Sequence, residues 1–527
     1  MIAEYNPFES GITGFHALNI LLAMVTSVLL FLIFVKARYL FIKPSVWLLA
    51  VSHVLVQWPA ALFFGYYQSW LPRPIEFSAL FQGTIILGLV LTVPLFRPTA
   101  KLAWARLGAK GVTNSPIGIS PDILAISILA VVNVVAIGLY LAEVPLQCTG
   151  LYSLVTSPDV FPLAREISLK LVKPALPRYA LTLASSSIVP LMTGLLVMQI
   201  IKHGRTQSFG ATLSCLICLI AAWLLADLTG AKGVFVALSL VVTFTFLWWR
   251  RISVNPLVAA IALICSLLPA IAITTVIGAA PFRDRGSYDI DFCLNVVGLS
   301  IPRLSNGNLK AEQPALQERR KELIASLVIK QDETIAPSFD DEKSHEREGP
   351  KYLKILKDNI MPVFYRAAVV PLQTGGWFVH HEQMQGPIGI GGIPRIARLL
   401  GVPVVDAPNL IGRTYGPVYY GHEVSPTISA STSFIFANYA YFGPLAIAMN
   451  IALILLLDIA LFAFVRVNAF LLVPLLGALT PVSFKFLEAE YLTVWLTHGY
   501  GVMILLALAL TFFLKYCPHN AAVEAKA

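Results

Sequence analysis

A series of long apolar segments constrains the fold of this chain more than any other feature. Each is about 20 residues long, the length that an α-helix needs to cross the hydrocarbon core of a bilayer. Only 13% of the residues are charged, against about 25% in a typical soluble domain. The sequence therefore predicts an all-α, polytopic integral membrane protein with about 11 transmembrane helices, within a range of about 10–13. The predicted segments are 15–35, 45–64, 78–96, 122–142, 180–201, 209–228, 231–249, 256–279, 436–464, 468–486 and 493–514.

Basic residues follow every second apolar segment. Because cytoplasmic connections of membrane proteins are enriched in Lys and Arg, this alternation predicts an external N-terminus and a cytoplasmic C-terminus. The formal net charge of +9 then belongs to the cytoplasmic side, so it gives no reason to expect nucleic acid as a partner. The basic residues concerned are Lys36, Arg38, Lys43, Arg97, Lys101, Arg106, Lys110, Lys202, Arg205, Arg250, Arg251, Arg466 and Lys515.

The predicted topology divides the chain into three parts. Residues 1–280 form a transmembrane half with eight helices, 281–435 a large and mostly helical external loop, and 436–527 the C-terminal transmembrane helices. From Arg283 to Ser431 the loop carries seventeen basic and seventeen acidic residues and is neutral overall. Within it, 303–357 is highly charged and nearly free of aromatic residues, as expected of a solvated segment. The remainder mixes aromatic residues, Gly and Pro, which favours short helices at the membrane interface.

Four arginines of the external loop are candidates for binding diphosphate: Arg366, Arg395, Arg398 and Arg413. The planar guanidinium binds phosphate oxygens in a bidentate manner. The alternative is anchoring to lipid headgroups. For Arg395 and Arg398, three residues apart on one face of a short helix, anchoring is the favoured interpretation. For Arg366 and Arg413, which lie among aromatic residues and glycines, the diphosphate interpretation is favoured.

Histidines and carboxylates of the same loop are candidate acid or base groups. His380 and His381 precede Glu382, and the pair His422 and Glu423 lies further along the chain. A histidine titrating near neutrality can accept a proton from a sugar hydroxyl, and a carboxylate can do so or orient the histidine. The alternative is that these are ordinary polar loop residues. The spacing does not match a helical zinc pair, so no metal is predicted.

Aromatic and hydroxylated residues surround these candidates. Tyr415 and Tyr420 precede His422, and tyrosines either stack on sugar faces or anchor a protein at the interface. The stretch 425–443, SPTISASTSFIFANYAYFG, contains Thr427, Thr432 and Asn438 and leads into the ninth apolar segment. A helix N-terminus capped by Ser or Thr can bind an anion. Close packing of helices through small residues is the alternative.

Other polar residues are assigned no chemistry. Cys148 and Cys293 both fall in predicted external segments, and whether they form a disulfide is left open by the sequence. Asp458 falls near the inner end of its helix, where Arg466 or another neighbour can pair with it. His53 and Gln57 lie one helical turn apart, and helix packing is preferred there over a proton relay.

The external loop and the segment that follows it resemble the bacterial O-antigen polymerases, the Wzy-type polymerases of oligosaccharide repeat units. The resemblance is carried by VFYRAAVVP, by NLIGRTYG, and by a Ser/Thr-rich stretch that ends in ANYAYFG. It covers roughly 360–500 in motif. The O-antigen ligases share the general plan, but a ligase is expected to carry a His followed by Asn where this chain has Ser and Thr. The departure favours a polymerase and leaves the general base unassigned.

The resemblance implies glycosyl transfer from a polyprenyl-diphosphate-linked glycan on the periplasmic face of the bacterial inner membrane, without a cofactor. The polymer would be an O-antigen, a capsule or an exopolysaccharide, and the partners would be the lipid-linked substrates, the bilayer and a chain-length regulator. An O-antigen-ligase-like transferase and a flippase or transporter of lipid-linked oligosaccharides are the alternative functions. The candidate catalytic residues, from the residue types and the resemblance together, are His422, Glu423 and Arg366. The candidate substrate-binding residues are Arg413, Arg395, Arg398, Tyr415, Tyr420, Thr427, Thr432, His380, His381 and Asn438.

Overall fold

The computed structural model consists of helices joined by turns and contains no strand among the residues that it describes. These residues are 14–62, 74–107, 121–157, 161–170, 175–205, 209–229, 232–251, 289, 292, 293, 296, 370–420, 429–467 and 471–516. The helices are α1 (Gly14–Lys36), α2 (Pro44–Ser52), α3 (Trp58–Leu62), α4 (Pro74–Arg106), α5 (Pro121–Leu141), α6 (Gly150–Thr156), α7 (Phe161–Lys170), α8 (Ala175–Leu183), α9 (Val189–Arg205), α10 (Phe209–Ala226), α11 (Lys232–Trp249), α12 (Val370–Gln385), α13 (Pro394–Leu399), α14 (Ala407–Tyr420), α15 (Phe434–Phe442), α16 (Ala446–Val467), α17 (Leu472–Val482), α18 (Tyr491–Leu496) and α19 (Tyr500–Tyr516).

The prediction of an all-α polytopic membrane protein is confirmed. Among the described residues, eight helical spans are long and apolar enough to cross a membrane, and two shorter apolar helices lie at Gly233–Trp249 and Leu472–Leu487. Together they coincide with ten of the eleven predicted segments. The remaining segment, 256–279, lies outside the described residues. Helices α1 and α10 expose rows of Leu, Val, Ile and Phe side chains, as expected of surfaces that face lipid.

Two of these spans contain a turn of π-helix. His53–Gln57 joins α2 to α3, and Ala184–Ile188 joins α8 to α9. The predicted ninth segment is also interrupted, because a 3₁₀ turn at Gly443–Leu445 separates α15 from α16. Gly443 has a φ of +57°, a value that residues with a side chain rarely adopt. The sequence analysis had treated this segment as one continuous helix.

Contacts divide the chain into two compact units. Unit 1 comprises the described residues within Met1–Lys101, Glu322–Leu461 and Ser483–Tyr491. Unit 2 comprises those within Leu102–Lys321, Phe462–Val482 and Leu492–Ala527. Each unit is built from three separate stretches of the sequence, so the two units do not correspond to the three consecutive parts predicted above. Unit 1 contains the described parts of the predicted external loop that carry candidate site residues.

Unit 1 contains a fully buried ion pair. The Nζ atom of Lys43 lies 3.3 Å from Oδ2 of Asp458, and both side chains are 0% exposed. Asp458 also accepts hydrogen bonds from the backbone N–H and the hydroxyl of Ser45, at 3.0 Å and 2.9 Å. Asp458 therefore pairs with Lys43, the N-cap residue that precedes α2, rather than with Arg466.

Unit 2 is held together by a disulfide and by close helix packing. Cys148 and Cys293 form the disulfide, with their Cα atoms 5.3 Å apart, and this settles the question that the sequence left open. The indole N–H of Trp248 in α11 donates to Thr480 Oγ1 in α17 at 3.1 Å. Lys202 and Asp122 form an ion pair between α9 and α5.

Candidate functional site

The candidate site is built around α12, which is buried along most of its length in unit 1. One face of α12 packs on α15, and a Cβ atom at Gly375 would overlap the ring of Phe436. At the N-terminal end of this contact, the hydroxyl of Thr374 donates to the backbone carbonyl of Ser431 at 2.6 Å. The hydroxylated segment that precedes α15 is thereby fixed against α12.

The start of α15 has the capped N-terminus that the sequence suggested. Ser433 is the N-cap residue, and its hydroxyl accepts a hydrogen bond from Ile435 N at 3.3 Å. Thr432, just before it, is 4% exposed, and its Oγ1 atom has no hydrogen-bond partner among the described residues. Burial of an unpaired hydroxyl costs free energy, so this atom is suited to a ligand.

A second face of α12 carries two histidines that meet α14. The Tyr415 ring lies 5.7 Å from the His380 ring and 6.3 Å from the His381 ring, edge-to-face in both cases. Trp377, one turn earlier, lies 6.3 Å from Tyr415 in a tilted arrangement. Gln373 is a further turn back on this face. Sequence reasoning did not single out Trp377 or Gln373, although their spacing of four residues was the available signal.

Burial favours the neutral form of the two imidazoles. It lowers the pKa of His380, and it lowers the pKa of His381, on which the neighbouring His380 acts in the same direction. His381 is 3% exposed, and its Nδ1 atom has no partner among the described residues. Nε2 of Gln373 is likewise buried and unpaired within the described chain. A neutral imidazole with a free nitrogen is chemically able to accept a proton.

The C-terminal end of α12 places Glu382 next to the break between α15 and α16. A Cβ atom at Gly443 would lie 2.7 Å from Oε1 of Glu382, so a side chain there would collide with the carboxylate. Burial raises the pKa of Glu382. The Glu382 carboxylate therefore lies beside Gly443, the residue with a positive φ at the break.

A cluster centred on Tyr441 was missed by the sequence analysis. Its hydroxyl donates to Oε1 of Glu490, and the side chain is 1% exposed. Burial raises the pKa of Glu490; the bond from Tyr441 lowers it, the nearby Asp406 raises it and Arg395 lowers it. The available signal was a carboxylate in the short connection between the predicted segments 468–486 and 493–514. Arg395 therefore lies near acidic side chains as well as at the surface.

The three loop arginines that the structure describes do not converge on the histidines. Arg395 and Arg398 are exposed on α13, and Arg413 is exposed on α14. Arg413 and Tyr415 are two residues apart, which places them about 200° apart around the helix. Because Tyr415 faces α12, Arg413 points away from the imidazoles.

Several predicted residues lie outside the described chain or have another role. Arg366, His422, Glu423 and Thr427 fall outside the described residues, and Tyr420 is described only by its place at the end of α14. Asn438 is buried and donates to Oδ1 of Asn450 at 2.6 Å, so its amide links α15 to α16. No group of three or more potential metal ligands is found in the described part of the chain.

Comparison with known proteins does not assign the chain to a family. No family model matches the chain, and no curated protein or solved structure shows a significant match. The class that the fold defines is a multi-pass α-helical membrane protein, and function has to be argued from the site itself.

Proposed function

We propose that this protein polymerises polyprenyl-diphosphate-linked oligosaccharide repeat units into a surface polysaccharide by glycosyl transfer. One observation carries the proposal. Residues His380, His381, Trp377 and Tyr415 gather in the part of the chain that resembles the polymerases, and His381 has a buried nitrogen without a partner among the described residues. Aromatic faces with a few unpaired polar atoms are what a sugar-binding site requires.

In the proposed reaction a hydroxyl of the acceptor sugar attacks the anomeric carbon of the donor. The new bond joins the hydroxyl oxygen to that carbon, while the bond from the carbon to the diphosphate oxygen breaks and its electron pair leaves with the lipid diphosphate. The hydroxyl proton passes to a general base, for which neutral His381 is the described residue best suited. Arginine stabilises the developing charge on the diphosphate, and Arg366 is the proposed donor, because Arg413 points away from the imidazoles.

The proposed location is the bacterial inner membrane, with the N-terminus and the site in the periplasm and the C-terminus in the cytoplasm. Contacts within each unit agree with this topology. In unit 1, Nε of Arg97 donates to the Tyr39 hydroxyl at 2.7 Å, which joins two connections predicted to be cytoplasmic. In unit 2, the Cys148–Cys293 disulfide joins two segments predicted to be external. Disulfides persist in oxidising compartments such as the periplasm.

Two other functions remain as alternatives. A ligase-like transferase would use the same donor but pass the finished glycan to a different acceptor. A flippase would move the lipid-linked unit across the membrane without forming a glycosidic bond. The three functions differ in which glycan accumulates when the protein is absent.

Deletion of the gene in its own organism distinguishes them. A polymerase deletion should leave single repeat units at the cell surface, and the intact gene supplied in trans should restore long chains. Polymer that forms but is not transferred would indicate a ligase. Repeat units trapped on the inner leaflet would indicate a flippase, and either outcome would overturn the proposal.

A further inference from the structure

Two exposed cations of α4 in unit 1 converge on one tyrosine. Nε of Arg97 donates to the hydroxyl of Tyr39 at 2.7 Å, and the ammonium of Lys101 lies 5.6 Å from the centre of the Tyr39 ring. Arg97 and Lys101 are one helical turn apart, so they lie on the same face of α4. Tyr39 belongs to the turn Arg38–Ile42, which joins α1 to α2. These three side chains are called the Tyr39 cluster below.

Other contacts hold the turn that carries Tyr39 against α4. The hydroxyls of Ser45 and Thr92 lie 3.4 Å apart in the interior. The ammonium of Lys43 lies 5.7 Å from the centre of the Phe96 ring. The position of Tyr39 beside α4 is therefore fixed by residues other than the two exposed cations, so the tyrosine is a fixed point to which both cations are attached.

The charge of the Tyr39 cluster is not balanced by nearby carboxylates. Glu76 is the only acidic residue between Ser10 and Pro121, and it lies at the opposite end of α4. In the part of the chain that the structure describes, neither Arg97 nor Lys101 forms an ion pair. Two like charges one turn apart on a helix repel each other and destabilise it. An anion supplied from outside the chain would relieve this repulsion.

The Tyr39 cluster retains hydrogen-bond donors for such an anion. A guanidinium has five N–H groups, and the bond to Tyr39 uses only the one on Nε, so the NH₂ groups of the exposed Arg97 side chain remain available. The Tyr39 hydroxyl accepts from Arg97, and its own proton has no acceptor among the described residues. The ammonium of Lys101 carries three further donors. A phosphate group suits this set, because a guanidinium binds two phosphate oxygens side by side.

The Tyr39 cluster lies where the lipid-facing surface of unit 1 ends. Near the other end of the same helices, the Ser78 hydroxyl of α4 donates to Asn19 Oδ1 of α1 at 3.3 Å. Arg97 lies about 28 Å farther along α4 than Ser78, which is close to the ~30 Å thickness of the hydrocarbon core. Val35 is 50% exposed at the end of α1, and Leu95 is 63% exposed just before Arg97. A phosphate at the cluster would therefore lie at headgroup level, with apolar side chains nearby for acyl chains.

We propose that Arg97, Lys101 and Tyr39 form a binding site for the headgroup of an anionic glycerophospholipid. Arg97 and Lys101 contact the phosphate, and Tyr39 is a positioning residue that holds both cations. A zwitterionic lipid also carries a phosphate, but the two cations would repel its ammonium group. The alternative is that the cations serve only to fix the topology of the chain through their charge. The lipid site is independent of the proposed glycosyl transfer.

The test is native mass spectrometry of the purified, delipidated full-length protein in detergent, which gives the apparent Kd of the first phosphatidylglycerol bound. The comparison ligands are phosphatidylcholine with the same acyl chains and glycerol 3-phosphate, which has none. The wild-type protein should bind phosphatidylglycerol more tightly than either. Arg97→Gln should weaken this binding about fivefold, the loss expected when one basic residue is removed at an anionic membrane surface. The matched control Arg466→Gln, which removes the same charge from an exposed residue at the end of α16, should leave the Kd unchanged.

Two variants that keep the net charge distinguish a site with defined geometry from charge alone. Arg97→Lys loses the planar guanidinium, and Tyr39→Phe loses the hydroxyl but keeps the ring beside Lys101. Each should also weaken the binding of phosphatidylglycerol. Arg97 is exposed and Tyr39 is half-buried, so both variants should fold, and their Tm values in lipid-free detergent check this.

The inference is overturned if phosphatidylcholine binds as tightly as phosphatidylglycerol, or if Arg466→Gln weakens binding as much as Arg97→Gln does. It is also overturned if Arg97→Lys and Tyr39→Phe both bind phosphatidylglycerol as the wild type does, because the cations would then act only through their charge. Glycerol 3-phosphate that binds as tightly as the lipid would refute a lipid site and indicate one for a free phosphate ester.

Discussion

The buried ion pair of unit 1 gives the most quantitative prediction. Asp458→Asn removes one charge and leaves Lys43 buried, with a neutral amide 3.3 Å from its Nζ atom where a carboxylate had been. Both side chains are 0% exposed, so water does not compensate for the loss. Removal of one partner from a buried pair typically costs about 3–5 kcal/mol. The unfolding equilibrium should therefore shift by roughly a hundredfold to several thousandfold.

The assay is a double-mutant cycle followed by unfolding in mixed micelles with increasing SDS. The single variants Lys43→Met and Asp458→Leu, which complete the cycle, should both be strongly destabilised, as should Asp458→Asn. The double variant Lys43→Met/Asp458→Leu should recover most of the loss, because an apolar pair has no charge to desolvate. Arg466→Gln is the control, because Arg466 is exposed on the same helix. A stability of Asp458→Asn within about 0.5 kcal/mol of the wild-type value, or a double variant as unstable as the singles, would refute this reasoning.

Three further predictions concern the proposed site and its surroundings. Arg366→Ala should abolish chain extension at unchanged protein level, whereas Arg413→Ala should retain it because Arg413 points away from the imidazoles. Arg366→Lys should support chain extension only in part if the contact with diphosphate is bidentate, and normal long chains in Arg366→Ala would exclude the arginine clamp. The activity of the wild-type protein should decrease as the pH falls through an apparent pKa below about 6.5, because burial lowers the pKa of His381 and only the neutral ring accepts a proton. His381→Gln should lower kcat and remove this acid limb of the pH–rate profile, and an unchanged profile would rule out His381 as the base. Burial raises the pKa of Glu490, so the folded state binds this proton more tightly than the unfolded state does, and the stability that this proton contributes is lost as the pH rises from about 4.3 through the folded pKa. Glu490→Gln should remove that pH dependence while its amide oxygen still accepts from Tyr441, and a pH–stability curve identical to that of the wild type would contradict the assignment of the dependence to Glu490.

The helical membrane fold was predictable because its signal is local. A run of about 20 apolar residues spans a bilayer whatever its neighbours are, and ten of the eleven predicted segments coincide with apolar helices. The Ser433 cap at the start of α15 was predictable for the same reason, because Ser at a helix N-terminus bonds to its own first turn. Such features depend on a few adjacent residues.

Features that depend on distant residues were not predictable. Lys43 and Asp458 are separated by more than 400 positions, and neither local sequence indicates which residue is the partner. Tyr441 and Glu490 are separated along the sequence by α16 and α17, so their contact depends on how those helices pack. The break at Gly443 was missed because glycine is tolerated within helices, and its positive φ becomes visible only in the structure.

The candidate site was predictable in part. The sequence pointed to His380, His381, Tyr415 and Thr432, and the structure places the first three in ring contact and the fourth in the segment fixed against α12. It did not indicate which nitrogen lacked a partner, because that depends on how α12 and α14 pack. The exposed side of α14 that carries Arg413 likewise follows from packing.

Reconstitution of the purified protein tests the central proposal most directly. The substrate is the lipid-linked repeat unit extracted from a strain that lacks the gene, and the products are resolved by size while free polyprenyl diphosphate is quantified. The proposed function predicts a ladder of lipid-linked oligomers and one polyprenyl diphosphate released for each unit joined. Repeat units that remain single, with no polyprenyl diphosphate released, would contradict it.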